Sequence, residues 1–446
     1  MVKNLYLGIV TVTIVPMKRV VESGYPIGFR KKEAQELGGH LAHHHSVVLV
    51  GMKRVGISNF LRFFLYHDEI VKTYIKNGTN HLFVHVDLND LIERNLSAFW
   101  TLLLTRLVDS VQRSTLAESE KRNCRRLFVQ SIQLKDHFFT VDSVRKVLEA
   151  LVNGGLYPTL FLLRFDRLAD VVTHEFFANL LGLHEAMKRK LSYVFTSHRP
   201  LGDLASDVFG KTSLSVFSRD MYLPTAGAED MKIILQTLEE QYGAMFDDKT
   251  RGALITLSGG YVQYLQLAVI RLHEEKSTPK SSDGLIALLS GDEQIALQSE
   301  ELFESLTKRE KEILLTIVQG NALTVMERTQ GTYLWNTGML VGEGKAIKIF
   351  SPLLAAYVGS LSGRNQAGRE FTRKEHLLFT FLRAHEEQLC ERDAIIEAVW
   401  PEHQDLGVSD WAIDRLVARL RSKLKTQRNP YQIVTVVTRG YKLTKA

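Results

Sequence analysis

Residues 47–60 read VVLVGMKRVGISNF, and the interpretation of this stretch decides what the first half of the chain is. Val47 to Val50 is an unbroken apolar run, the signature of a short strand buried on both faces. Gly51 ends the run, four residues intervene, and Gly56 precedes a stretch whose apolar residues recur at helical spacing. Strand, glycine-bounded loop and helix together make a cradle for an anion, because the glycines leave main-chain amides free to turn inward and the helix start adds partial positive charge. The pattern then requires Lys followed by Ser or Thr; this chain has Ile57 and Ser58. Ser58 keeps the hydroxyl that would hold magnesium. Ile57 brings no charge, and Lys53 and Arg54 inside the loop are the cations placed to replace it in part.

The neighbouring segments continue the theme. HLFVHVDL (81–88), TLFLL (159–163) and SYVFTS (192–197) read as buried strands. Helical spacing runs through 58–75, 95–112, 141–152 and 174–189, so strands and helices alternate and a parallel sheet is expected. From about 226 the strand signals stop. AEDMKIILQTLEEQYG (228–243) and GYVQYLQLAVIRLHEE (260–275) read as helices of an appended lid, and KSTPKSSDG (276–284) as a polar loop. A phosphoryl-transfer site needs an acidic residue at the end of a strand to hold magnesium. Here Leu163 and Arg164 stand at that point, and only a slip of three residues would let Asp166 serve.

Two later segments resemble one another. LTKREKEILLTIVQG (306–320) and FTRKEHLLFTFLRAH (371–385) both set Thr three residues ahead of Glu, a capping box for a helix start (Thr307 with Glu310, Thr372 with Glu375). Between them GSLSGRNQAGR (359–369) has the composition of a flexible linker. Charge is divided sharply beyond it. Residues 371–410 hold nine acids and four bases, whereas 411–446 hold nine bases and one acid, so a basic face for an anionic partner is expected at the end of the chain. In VSDWAIDRLVARLRSKL (408–424) Ser409 can cap a helix, and Ile413, Leu416, Val417, Leu420 and Leu424 share one face. Trp411, Arg415, Ala418 and Ser422 lie opposite, with Arg419 and Lys425 flanking. Such a face suits a duplex groove, where Arg bonds guanine edges and phosphates. YQIVTVVTRGYKL then reads as a hairpin with Gly440 at the turn and Arg439 at the tip.

FTRKEHLLFTFL, ERDAIIEAVW, VSDWAIDRLVARLRSKL and IVTVVTRGYKL, in that order over residues 371–443, resemble the winged-helix effector domain of OmpR/PhoB-type regulators. The resemblance implies double-stranded DNA as partner, with Arg415, Arg419 and Arg421 on or beside the groove-reading helix and Thr435 and Arg439 on the wing. Val437 and Thr438 depart from that family's usual wing ending. No receiver-like segment with a phospho-acceptor Asp precedes the module. Residues 26–358 resemble STAND and archaeal-type ATPases, AAA+ relatives, through GFRKKEAQEL, VVLVGMKRVGISNFLRFFL, FVHVDLNDL, FLLRFDRL, YVFTSHRPL and LSGGYVQYLQLA, with LTKREKEILLTIV opening an attached winged helix. This resemblance implies ATP with magnesium as ligand and puts Ser197 near the sensor of the terminal phosphate, with Arg199 just after it. Tyr261 and Val262 replace the His and Pro usual in the lid.

The resulting expectation is a multidomain α/β plus α+β chain: a P-loop NTPase-like parallel sheet with a helical lid, followed by two winged-helix domains. The divisions fall at 1–25 (extension), 26–225 (sheet domain), 226–295 (lid), 296–358 (first winged helix), 359–369 (linker) and 370–446 (DNA-binding winged helix). The nucleotide-site candidates are Gly51, Lys53, Arg54, Gly56, Ser58, Asp166 and Ser197; the DNA-site candidates are Trp411, Arg415, Arg419, Arg421, Ser422, Thr435 and Arg439. A DNA-binding transcriptional regulator is expected, its NTPase-like part degenerate and serving for sensing or self-association, with ATP binding left open and hydrolysis weak or absent. The contrasting readings are an active ATPase that remodels DNA or a protein complex, and a purely protein-binding adaptor.

Composition limits the remainder. A length of 446 residues allows about three domains. Two distant cysteines, Cys124 and Cys390, make neither a disulfide framework nor a zinc cluster, which fits a reducing, cytoplasmic setting. The apolar tracts are too short for a membrane span, no signal peptide is expected from LYLGIVTVTIV near the start, and Met17 stays open as an alternative start. His40 and His43 to His45 have no carboxylate or cysteine company, so no metal site is expected there.

Overall fold

The computed structural model describes residues 20–75, 80–205, 219–275, 281–361, 373–400, 410–427, 429–436 and 439–445, with the single positions 208, 217, 279 and 371. Two compact units result. One is built on the chain up to Gln266 together with Tyr333–Leu340, the other on Leu267–Thr332 and the chain from Val341 onward.

In the first unit, β1 (Val47–Val50), β2 (His81–Asp87), β3 (Tyr157–Leu163), β4 (Ser192–Ser197) and β5 (Asp220–Tyr222) form one parallel sheet in the order β2-β3-β4-β1-β5. Every residue of β1 and β4 is buried, which explains the continuous apolar run of β1 and the apolar centre of β4. β1 has a bonded neighbour on each side, and the order doubles back on it. Its loop therefore opens at the carboxyl end of the sheet, where ligands bind in folds of this kind. The following helix, α1, spans Ile57–Tyr66 and buries Phe60, Leu61, Phe63 and Phe64, with Phe64 against Phe83 and Phe161 of the sheet and Phe63 against Phe29. Two elements lie outside the sequence reading: β5, only three residues long, and the helix Glu118–Leu134, whose buried residues are Cys124, Leu127 and Ser131 alone. The lid segments are helical at Ala228–Tyr242, Asp248–Ser258 and Val262–Glu274.

His81 at the start of β2 is ringed by His44, Phe83 and Tyr157. Burial, followed by the neighbouring His44, pushes its pKa from 6.5 down to about 4. The fold thus holds it neutral over a range in which the unfolded chain takes up a proton, so stability falls as pH drops through that range. In thermal melts from about pH 7 to about pH 4, His81→Phe is expected to lose less melting temperature than the unaltered protein. Equal losses would show that this imidazole is not the acid-sensitive group.

In the second unit, Ser282–Ser290, α2 (Glu293–Glu304), Lys308–Val318, Val325–Gln330 and Pro352–Leu361 are helices. Ser282–Ser290 starts within the expected loop 276–284, capped by the Ser281 side chain. Thr307 and Glu310 make both bonds of the expected capping box. Thr372 lies outside the described residues, as do Ser409 and most of the expected linker; positions 359–361 of that linker close a helix. The C-terminal module contains α3 (Arg373–Ala384), β6 (Cys390–Glu391), α4 (Arg392–Val399), α5 (Asp410–Thr426), β7 (Tyr431–Val436) and β8 (Gly440–Lys445), its strands antiparallel in the order β6-β8-β7. Ile413, Leu416, Val417, Leu420 and Leu424 are all buried in one core with Trp400, as the helical spacing predicts. Gly440 differs from expectation. It opens β8 instead of sitting at the turn, and glycine is needed there because a Cβ would stand 2.1 Å from the Cys390 carbonyl oxygen. Among the described residues, no helix is long and apolar enough to cross a membrane.

Candidate nucleic-acid interface and nucleotide site

The loop between β1 and α1 joins the buried strand end to the helix start, where the anion cradle is expected. Gly51 donates its amide to the Ser197 carbonyl at 3.1 Å, so the loop and the end of β4 are fixed together. Gly56 caps α1 with φ of 110°, a conformation that favours glycine. The charge pattern of the site has changed, however. Ile57 Cδ1 lies 3.2 Å from where a Cβ on Gly51 would stand, so apolar carbon folds back over the loop. The lid presses on the loop as well: Tyr261 donates its hydroxyl to the Lys53 carbonyl at 2.6 Å, and Val262 Cγ2 would be 2.8 Å from a Cβ on Gly56.

At the end of β3 the register pairs Leu163 with Asp87 of β2. The next residue, Arg164, adopts a left-handed conformation, donates its amide to Thr196 Oγ1 at 2.8 Å and directs its guanidinium onto the Asp87 carboxylate. A cation therefore occupies the strand-end position where a magnesium site needs a carboxylate, and the residues there do not fit that metal. Asp166 stands two residues on, its Oδ2 3.5 Å from His198 Nδ1. Burial opposes its ionisation, but the His198 hydrogen bond and charge, with Lys53 behind them, hold its carboxyl below the usual range. The fold thus groups Asp166 with Lys53, and β4 ends beside them at Ser197. Arg54 and Ser58 are half-buried on the loop and helix start. Arg199, only 7% exposed, donates its amide to Ser197 Oγ at 3.1 Å and holds its guanidinium 3.8 Å from the Tyr333 ring centroid. Tyr333 in turn donates its hydroxyl to the His198 carbonyl at 2.8 Å. Tyr333, from far along the chain, was not among the candidates; a lone Tyr has no periodic signal to mark it. Among the described residues, no cluster of three or more His, Cys, Asp or Glu could hold a metal.

At the other end of the chain the DNA-site candidates separate into two groups. Arg421 donates to the Ile433 carbonyl at 2.8 Å and to Thr435 Oγ1 at 2.7 Å, tying α5 to β7. Thr435, Ser422 and Arg439 are exposed, and the Arg439 amide bonds the Val436 carbonyl across the turn. The Trp411 side chain lies outside the described residues. Arg415 and Arg419 are engaged within the unit instead of open: Glu300 of α2 accepts from Arg415 Nε at 2.7 Å and from Arg419 Nη1 at 3.2 Å. Burial works against the charge of Arg415, but the Glu300 hydrogen bond and charge, then Glu304, more than offset it and raise its pKa. Glu375 also faces this helix, accepting from Lys423 at 2.7 Å. Glu300 escaped the sequence reading, although the acidic run SEELFE (299–304) on one helix and the basic segment after 411 are a visible charge match.

Comparisons with known proteins bear on both parts of the chain. Residues 366–443 match the family model described as transcriptional regulatory protein, C terminal. This segment is a winged helix of the OmpR/PhoB type, and DNA binding is the role of that family. A Walker-type ATPase of Pyrococcus abyssi aligns at 15% identity and a TM-score of 0.45, covering 74% of this chain and 95% of its own. The ORC2 protein of Aeropyrum pernix, in ADPNP and ADP complexes, aligns at 14% and 0.41, covering 74% and 93%. The RuvB Holliday junction branch migration motor of Thermotoga maritima aligns at 14% and 0.34, covering 72% and 91%. No curated protein matches the chain. The parallel strand order and glycine loop described above define a P-loop NTPase-like unit fused to that winged helix.

Proposed function

We propose that the chain is a DNA-binding transcriptional regulator whose sheet unit acts as a sensory or assembly module, with ATP hydrolysis slow or absent. The observation that carries this reading is the family match of residues 366–443, on a module whose second half is strongly basic. In this reading Trp411, Arg415, Arg419 and Ser422 present α5 to the major groove, while Arg421, Thr435 and Arg439 set the wing on the backbone. The sheet unit binds a nucleotide phosphate through Gly51, Gly56, Ser58 and the amides between them, with Lys53 and Arg54 supplying charge, and also provides the surface for self-association. The domain divisions derived from the sequence are part of this proposal.

Binding of the full chain to labelled duplex, measured by fluorescence anisotropy, tests the reading. With four phosphates neutralised, affinity should fall about a hundredfold between about 50 and about 200 mM salt. Binding that is absent or indifferent to salt would leave the adaptor reading in its place. One observation favours the ATPase alternative: Asp166 lies 3.5 Å from His198, which with Lys53 lowers the pKa of its carboxyl, where a slipped acidic motif would need it.

A further inference from the structure

We propose that α2 holds the regulator in a closed state, with the Glu300 carboxylate occupying the guanidinium groups that would otherwise take DNA phosphate. This rests on the DNA-binding reading above and adds its regulation. Three positions on one face of α2, spaced by three and four residues, make the seat. Leu297 is 4% exposed and belongs to the hydrophobic core of the C-terminal module. One turn on, the Glu300 side chain is only 10% exposed and lies between Arg415 and Arg419, 2.7 and 3.2 Å away. One turn further, Glu304 Oε1 is 3.9 Å from Arg415 Nη2. A carboxylate held by two guanidiniums uses the same planar donors that recognise phosphate, so Glu300 and DNA compete for one set of groups.

The contact is built to be given up. Arg419 Nε and Nη2 are buried with no hydrogen-bond acceptor among the described residues, and Nε comes only within 3.9 Å of Glu375, whose other oxygen is bonded to Lys423. Arg419 therefore satisfies only part of its donor set while α2 is seated. The Arg415 and Arg419 side chains are still 37% and 29% exposed, and ion pairs that keep such access to water contribute little net stability, because solvent screens their attraction and desolvation of the carboxylate offsets part of it. The closed state weakens DNA binding by the fraction of molecules that are open at any moment, and whatever draws α2 away restores the full affinity.

The test compares full-length protein with Glu300→Gln, and with Glu343→Gln as a control that removes the same charge from an exposed position, on a fluorescein-labelled random-sequence duplex. Melting curves recorded alongside establish that each variant is folded. Glu300→Gln should bind about tenfold more tightly, with a salt dependence steeper by about one to two released counterions. Glu343→Gln should stay within about twofold of the unaltered protein. A second variant, Glu300→Gln with Glu304→Gln, should bind at least as tightly as the first. Equal or weaker binding by both Glu300 variants, or equal tightening in the control, overturns the closed state and leaves the DNA-binding reading standing. Failure of every folded form to bind duplex removes that reading itself and the closed state with it.

Discussion

Gly440→Ala is expected to destabilise the C-terminal module by about 3 kcal/mol or more, a large share of the total stability of a domain. The added methyl would stand 2.1 Å from the Cys390 carbonyl oxygen, and main-chain atoms cannot move aside by a change of rotamer. Gly440 also has φ of 155°, which side chains seldom adopt. Relief would require β8 to separate from β6, where Gly440 pairs with Glu391 and Tyr441 with Cys390. Tyr441 and Leu443, buried on β8, would then leave the core they share with Trp400. Urea unfolding followed by tryptophan fluorescence reads the effect through Trp400, one of four tryptophans and fully buried, once the signal of Trp100 in the other unit is removed by Trp100→Phe in both proteins compared. A midpoint unchanged from that of the parent would contradict the close approach on which the module's sheet depends.

The second large effect concerns turnover. In a phosphate-release assay with ATP and magnesium, the unaltered chain is expected to run at least about a hundredfold below a working enzyme, since one preorganised charge removed from such a site already costs that much. Ile57→Lys alone should improve ATP binding without restoring turnover, because Arg164 still occupies the strand end and is paired with Asp87. Adding Arg164→Asp places a carboxylate at the metal position, and the double variant should exceed either single one. Brisk turnover by the unaltered protein, lost in Ser58→Ala, would instead establish the ATPase alternative and assign Asp166 the metal.

Much of this architecture was legible from periodicity. β1 is buried on both faces and wholly apolar, β4 is buried throughout with Tyr193, Val194 and Phe195 at its centre, and α5 keeps one apolar face through its whole length. β5 was not legible, because three residues with one buried side chain carry no pattern. The helix Glu118–Leu134 was missed for a related reason: it is polar on nearly every turn and buries little. The candidate sites divide in the same way. Glycine spacing located the loop, and charge asymmetry located the basic module. Pairs such as Arg415 with Glu300, 115 residues apart, leave no trace in local spacing, since only the folded chain brings them together.

The ring beneath Arg199 bears on how the molecule can be dissected. Tyr333–Leu340 is sequence from the second half of the chain that is structurally part of the first unit. A fragment cut after Gln266 would lose the aromatic partner of a buried guanidinium and the hydroxyl that holds the His198 carbonyl. An expression fragment meant to isolate the sheet should therefore carry residues 333–340 as a graft, so that Arg199 keeps the ring it lies against.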